Sequence, residues 1–225
     1  MGVRIYPVPL GMSCAYLIQD EGIVMVDGGT PNQISGFFKA VEKASVEPRK
    51  IRLLVMTHGH WDHIGSAKAI KEITGAPIAM HRQDRDALEK SSMRLPLGVT
   101  PWGRVLIRVM ALFTASLHIP TTNVDVILED EGLSLADYGV PGRVIYTPGH
   151  SMGSVSVLLE TGDAFVGDLA MNMFPLRLGP GLPIFAEDLQ KVKESWQLLL
   201  DGGAKTVYPA HGRPFPAEVM RRALS

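Results

Sequence analysis

The residues best suited to chemistry lie in one short segment. Three histidines and one aspartate fall within six positions, at His58, His60, Asp62 and His63. This segment follows the apolar run at 51–57, which predicts a buried strand. Neutral imidazole and carboxylate are ligands for zinc, iron or manganese. Solvated histidines on a polar loop are the alternative, but burying these groups together is costly without a metal, so the cluster predicts a metal site.

Composition limits the kinds of site and partner. The 225-residue chain has seven histidines but one cysteine, Cys14, so histidine and carboxylate must carry any transition metal. A formal net charge of −1 lacks the basic surplus that nucleic acid requires, so we expect no nucleic-acid partner. The N-terminus lacks a signal-peptide pattern, and Arg104 and Arg108 interrupt the most apolar stretch, 99–119. We therefore expect a cytoplasmic protein with no membrane span.

Short apolar runs alternate with helical patterns along the chain. The predicted strands are 23–27, 51–57, 77–80, 124–128, 143–147, 155–160, 164–166 and 205–209. The predicted helices are 30–44, 64–73, 83–90, 187–200 and 216–224. Strands and helices in both halves predict a layered α/β architecture, which we expect to form one domain over residues 1–225.

Two segments break this alternation. Residues 91–122 are rich in Leu, Met and Arg and predict a helical insertion, whereas 170–184 reads as an irregular apolar loop. Long insertions in compact domains are often lids or binding loops. The insertion is therefore expected to be a lid over the site, a homodimer contact, or both.

Five motifs, in order, make the chain resemble the metallo-β-lactamase superfamily, in the subset related to glyoxalase II. The segment starting at His58 matches the H-x-H-x-D-H motif. The other matches are Asp27 in VDGG, His150 in TPGHS, Asp168 in VGDLA and His211 in PAHG. The resemblance spans nearly the whole chain. It implies a four-layer αβ/βα sandwich with a two-metal site between its sheets.

The resemblance also implies a role for each matched residue. The expected ligands are His58, His60 and His150 for one metal, and Asp62, His63 and His211 for the other. Asp168 would bridge the two ions, so Asp62 and Asp168 are the expected catalytic carboxylates. Asp27 would orient a ligand histidine by a hydrogen bond. The expected cofactors are two divalent ions, zinc first, with iron or manganese as alternatives.

The implied activity is hydrolysis of an ester, thioester or lactone by a metal-bound hydroxide. The chain ends soon after His211, so we expect none of the glutathione-binding domain of long-form glyoxalase II. No tyrosine closely follows Asp168, unlike in quorum-quenching lactonases of the superfamily. Apolar residues after Asp168 indicate a small acyl-bearing or apolar substrate, with Met171, Phe174 and Arg177 as candidate contacts. His81 and His118 match no motif, and we expect structural roles for both.

Three alternatives remain open. The first is an oxygenase with a single iron, similar to persulfide dioxygenases, which share much of the motif. The second is a metal-holding interaction protein without enzymatic activity. The third is a serine hydrolase, because the segment at 149–153 fits the G-x-S-x-G nucleophile elbow around Ser151. That elbow must lead into a helix, whereas 154–160 alternates like a strand.

Overall fold

The computed structural model describes residues 2–92, 95–114, 117 and 119–225. His118, and Arg94 in the predicted insertion, lie outside this part of the chain. The strands are β1 (Arg4–Leu10), β2 (Ser13–Gln19), β3 (Ile23–Val26), β4 (Ile51–Val55), β5 (Ile78–His81), β6 (Val126–Leu128), β7 (Leu133–Ser134), β8 (Gly142–Tyr146), β9 (Val155–Leu159), β10 (Asp163–Asn172), β11 (Thr206–Gly212) and β12 (Phe215–Pro216). The α-helices are α1 (Ile34–Lys43), α2 (Trp61–Ile64), α3 (Ala67–Thr74), α4 (Arg85–Glu89), α5 (Pro101–Thr114), α6 (Leu189–Asp201) and α7 (Glu218–Leu224).

The strands form two six-stranded sheets. The first has the order β1-β2-β3-β4-β5-β6, and β3 to β6 run parallel. The second has the order β12-β11-β10-β9-β8-β7, with β10 parallel to β11. Residues that follow parallel strands collect at one edge of a sheet. The side chains that follow β4 therefore lie at one edge of the first sheet, where they can meet side chains from β10 and β11 of the second sheet.

Three hydrophobic cores separate four layers. Phe37 of α1 and Ile70 of α3 pack on one face of the first sheet. Val55 and Phe165 belong to the core between the two sheets. Trp196 of α6 packs on the outer face of the second sheet. The four-layer αβ/βα sandwich with its helical insertion is thus confirmed. Hydrophobic core on both faces of the first sheet explains why β3 is entirely apolar and why β4 is apolar except for Arg52.

The two irregular segments pack on each other. Helix α5 lies within the predicted insertion, and its Leu106 and Met110 contact a small core that contains Met171 and Phe185. The segment after β10 folds back so that Met171 pairs with Gly181. Within the described residues, every helix is too short or too polar to cross a bilayer.

Candidate metal centre

The histidine-rich segment lies at the carboxyl end of β4. The strand delivers Thr57 and His58 into the space between the sheets, where both are buried. His60 precedes α2, and its extended backbone lets the chain turn there into the helix. Helix α2 then carries Asp62 and His63 back toward His58, and the His58 and His63 rings lie 3.9 Å apart.

Three further side chains reach this space from the second sheet. His150 lies in the loop between β8 and β9, while Asp168 and His211 lie within β10 and β11. The register of β10 against β11 shifts on both sides of Gly167. This irregularity, with φ of 52° at Gly167, precedes Asp168 directly.

The seven side chains form overlapping groups whose nitrogen and oxygen atoms lie within 4.8 Å of one another. We call one group the first cluster and another the second cluster. The first cluster is His58, His60 and His150, and the second cluster is Asp62, His63 and His211. A third overlapping group joins His58 and His63 to Asp168. The sequence-predicted ligands are therefore brought together.

Asp168 lies between the two clusters. Its Oδ1 is 3.4 Å from Nε2 of His63 and 3.4 Å from Nε2 of His211. Its Oδ2 is 3.6 Å from Nε2 of His150. One carboxylate thus faces the second cluster with one oxygen and the first cluster with the other.

For three of the histidines, a hydrogen-bond partner at Nδ1 fixes which ring nitrogen faces the other clustered side chains. Nδ1 of His63 lies 2.9 Å from Oδ2 of Asp27, and Nδ1 of His150 lies 2.9 Å from the Phe185 carbonyl. Nδ1 of His211 lies 3.0 Å from the Met12 carbonyl. In the neutral ring, an acceptor at Nδ1 places the proton there and leaves Nε2 as the nitrogen that can bind a cation.

A metal fits this arrangement. The buried atoms Nε2 of His58, Nε2 of His63 and Oδ1 of Asp168 have no hydrogen-bond partner among the described residues. Buried polar atoms nearly always have a partner, and an ion is one standard explanation when they do not. All three atoms belong to the groups above and are suited to a divalent cation.

The first cluster consists of neutral imidazoles. Burial lowers the pKa of His60 and of His150 to about 4 each. Burial, together with the charge of His63, lowers the pKa of His58 well below its usual value. Neutral imidazoles bind a metal without first losing a proton.

The second cluster is an ion-paired group. Burial opposes charge on His63, but Asp27 and Asp168 raise its pKa well above the usual value. Asp168 and Asp62 likewise raise the pKa of His211 to about 10 against the effect of burial. The pKa of Asp62 falls to about 2 despite burial, because of the charge of His63 and the hydrogen bond from His211. In the absence of metal, this cluster therefore holds protons at neutral pH.

Asp27 orients two of the histidines, His58 and His63. The sequence did not predict that Thr57 takes part in this arrangement. Asp27 Oδ1 accepts hydrogen bonds from the Thr57 amide and hydroxyl, at 2.8 and 2.9 Å. The Thr57 oxygen in turn lies 3.1 Å from Nδ1 of His58. One carboxylate thereby orients His63 directly and His58 through Thr57.

Asp84 is a second positioning residue that sequence patterns did not indicate. Its Oδ2 accepts hydrogen bonds from the Gly59 amide (2.8 Å) and the Ser151 hydroxyl (2.6 Å). It therefore joins the loop that carries His60 to the loop that carries His150. No local spacing links Asp84 to either loop, so only the tertiary structure identifies it.

Position 167 requires glycine because Thr57 lies too close to leave room for a side chain. A Cβ at this position would lie 2.5 Å from Oγ1 of Thr57, and the positive φ disfavours any L side chain.

We expect Gly167→Ala to lower the free energy of unfolding by about 2–4 kcal/mol, from overpacking plus backbone strain. Gly179→Ala is the matched control, because Gly179 has φ of 76° but open space around it, and it should cost about 1 kcal/mol. Urea denaturation measures both, and equal losses would show that packing against Thr57 is unimportant.

An apolar cavity opens over the clustered side chains. Its volume is about 180 Å³, and His60, Asp62, Asp168, His150 and His211 form its polar end. The apolar lining comes from the predicted insertion and from the segment after β10: Leu95, Pro96, Leu106, Met110, Met171, Met173, Pro175, Leu176 and Phe185, with Met12 and Trp61 completing the wall. A polar end and apolar walls suit a substrate with a reactive polar group on an apolar body.

The three candidate substrate contacts are placed differently. Met171 lines the cavity. Phe174 is 76% exposed and is absent from the lining. Arg177 packs on Gly181 and donates from Nη1 to the Leu182 carbonyl, so it braces its own loop. His81 is buried, lies 3.3 Å from Asp130 and stacks on Tyr146, which is a structural role.

Ser151 does not have the surroundings of a nucleophile elbow. The strand β9 follows it instead of a helix. Its hydroxyl donates to Asp84, an arrangement that holds two loops together. The serine hydrolase alternative therefore loses its structural basis.

Comparison with known families identifies the chain. The family model of the metallo-beta-lactamase superfamily matches residues 8–211, which is nearly the whole chain. The chain belongs to the metallo-β-lactamase superfamily. Among curated proteins, the chain is similar to the probable metallo-hydrolase YflN of Bacillus subtilis, with 21% identity over 92% of this chain and 81% of YflN. The probable metallo-hydrolase YqgX of the same organism is 25% identical over 72% of this chain and 67% of YqgX.

Solved structures of the superfamily share the fold. BLEG-1, a B3 metallo-beta-lactamase, superimposes with a TM-score of 0.72 over 97% of both chains, at 21% identity. The di-iron-bound form of TTHA1623 superimposes with a TM-score of 0.67, at 25% identity over 96% of this chain and 97% of TTHA1623. The chain is thus a metallo-hydrolase superfamily member with a clustered set of candidate metal ligands.

Proposed function

We propose that this chain is a hydrolase in which the first and second clusters each hold one divalent cation and share Asp168. The observation that carries the proposal is the orientation of Asp168, whose two oxygens face different clusters. The orphaned nitrogens of His58 and His63 support it, because each belongs to one of the two clusters. The di-iron form of TTHA1623 makes iron an alternative to zinc.

The chain's own residues supply positioning and proton transfer. The residues of the two clusters would hold the cations, which would supply the Lewis acidity that makes a water molecule nucleophilic and polarises a carbonyl oxygen. Asp62 lies at the polar end of the cavity, where its carboxylate can accept the proton that the water loses and return it to the leaving oxygen or sulfur. Asp27 and Asp84 act through the histidines and loops that they hold.

The cavity favours an acyl ester, thioester or lactone as substrate. Its apolar walls suit the acyl chain, and its polar end places the carbonyl against the clusters. We propose that residues 91–122 form an insertion that closes one side of this cavity through Leu106 and Met110. The same region therefore serves as the wall that selects an apolar chain.

A panel of 4-nitrophenyl esters with acyl chains of increasing length, one acyl thioester and one lactone tests this function. We expect chelator-sensitive hydrolysis whose KM falls by about fourfold per methylene until the cavity is filled. A serine-directed inhibitor should leave the activity intact. If the metal-loaded protein hydrolyses no compound of the panel, the hydrolase proposal is wrong, and a metal-holding interaction protein becomes the better interpretation.

Metal affinity should depend on pH through the second cluster. The pKa of His211 is raised to about 10 from 6.5, so its proton stabilises the metal-free fold below pH 6.5 and is lost as the pH rises through about 10. A cation must displace this proton and the one that His63 holds, so its affinity should rise by at least about tenfold per pH unit between pH 7 and 9. Competition titration with a chromogenic chelator measures this slope, and a flat profile would contradict it.

A further inference from the structure

Helix α5 presents an apolar face to solvent. Trp102, Val105, Val109 and Leu112 are 47%, 52%, 46% and 80% exposed. They are spaced three, four and three residues apart, so they lie on one side of the helix. Leu106 and Met110 lie on the adjacent side of the helix and line the cavity. The helix is thus apolar both toward the cavity and toward solvent.

The apolar surface continues onto the segment after β10. The Trp102 indole donates a hydrogen bond to the Pro175 carbonyl at 2.9 Å, which ties α5 to this segment. Phe174 and Leu178 beside it are 76% and 86% exposed. The two elements that wall the cavity therefore both carry exposed apolar side chains, and the hydrogen bond between Trp102 and Pro175 joins the two elements. We call this surface the α5 patch, meaning Trp102, Val105, Val109, Leu112, Phe174 and Leu178.

The charges beside the α5 patch indicate what covers it. Arg104 and Arg108 are exposed on α5, and the helix contains no aspartate or glutamate. Packing α5 against α5 of a second copy would gather four arginines with no acidic partner on either helix, which disfavours a dimer. An anionic surface would instead pair with these guanidinium groups, while Trp102 and its apolar neighbours enter a hydrocarbon layer.

We propose that the α5 patch docks this protein onto an anionic lipid surface. Helix α5 lies in the plane of the interface, with its apolar side chains among the acyl chains and Arg104 and Arg108 at the headgroups. The cavity wall formed by Leu106 and Met110 then adjoins the lipid. This inference goes beyond the proposed hydrolysis and does not depend on it, because docking is measured without any substrate.

Vesicle flotation with the metal-loaded 225-residue chain tests the proposal. One set of vesicles contains phosphatidylcholine alone, and the other contains equal parts of phosphatidylglycerol and phosphatidylcholine. We expect binding to the mixed vesicles that weakens as salt is added, and little binding to phosphatidylcholine. Equal binding to both sets, or binding to neither, would overturn the proposal.

Two double variants separate the contributions. Arg104→Gln with Arg108→Gln should weaken binding to the mixed vesicles by roughly 30-fold, because the attraction of two positive charges to the anionic headgroups is lost. Val109→Gln with Leu112→Gln should weaken it by at least about tenfold, because less apolar surface is buried. Leu198→Gln, at a 47% exposed position on α6, is the matched control and should bind like wild type. All these sites are exposed, so the variants are expected to fold.

The oligomeric state, measured alongside vesicle binding, decides between a lipid surface and a second copy of the chain. Sedimentation velocity of wild-type protein without lipid should give a monomer. A dimer that Val109→Gln with Leu112→Gln dissociates would overturn the proposal and assign the α5 patch to a second copy of the chain.

Discussion

Asp168→Asn is expected to lower kcat/KM for an acyl ester by at least about a thousandfold, because a side chain shared by both clusters is lost as an anion. Asparagine has the same shape but offers one oxygen and one amide group. In either orientation, the amide would face His150 on one side or His63 and His211 on the other. An N–H donor cannot bind a cation, so metal affinity should fall together with activity.

The control for Asp168 lies on the same strand. Asp163 begins β10, away from the clusters, and accepts a hydrogen bond from the Thr161 hydroxyl. Asp163→Asn should keep activity within about twofold of wild type, as expected for a substitution of a half-buried residue away from the site. If Asp168→Asn retained activity within tenfold of wild type while still binding two metals, a shared carboxylate would have no catalytic importance.

Asp27→Asn is expected to remove metal from the second cluster selectively, with an affinity loss of about 10–100-fold. The Thr57 amide donates to Oδ1 at 2.8 Å, so the asparagine oxygen should stay at that atom. Its amide group then takes the place of Oδ2, 2.9 Å from Nδ1 of His63. His63 must change tautomer to accept this hydrogen bond, and its proton moves to Nε2, the atom that should bind the cation.

The measurement for Asp27 is a metal count combined with urea denaturation. We expect one tightly bound equivalent instead of two and a modest change in the free energy of unfolding, because the hydrogen bonds are conserved in number. Asp125→Asn is the matched control, since Asp125 also accepts a backbone hydrogen bond, from Ile78, far from the clusters. Unaltered metal binding in Asp27→Asn would mean that Asp27 only shapes its turn.

The ligand residues could be predicted because the chemistry leaves a dense local signature. Four of the seven side chains lie within His58–His63, and the strand before them is apolar except for Arg52. The layered fold was predictable for the same reason, since buried parallel strands such as β3 and β4 are almost entirely apolar. Boundaries were less accurate: the helix predicted over 64–73 is α3, which begins three residues later at Ala67, and the short helix α2 before it was not predicted.

The remaining features depend on contacts that are distant in sequence. Strands β1 and β2 were not predicted, since prolines interrupt β1 and its apolar residues alternate only weakly. Asp84 joins two loops through a single carboxylate, and no spacing rule reports such a link. Phe174 was chosen as a substrate contact because its loop starts near Asp168, yet the loop turns this side chain toward solvent, and only Met171 of the three candidates lines the cavity.

The most direct test of the two-cation proposal is reconstitution of metal-free protein with zinc, following bound metal and ester hydrolysis together. We predict that hydrolysis starts from near zero and levels off at two bound equivalents per chain. We also predict that Asp62→Ala levels off at one equivalent with most of its activity lost. Full hydrolysis by the metal-free protein, or saturation of both metal and activity at one equivalent, would contradict the account.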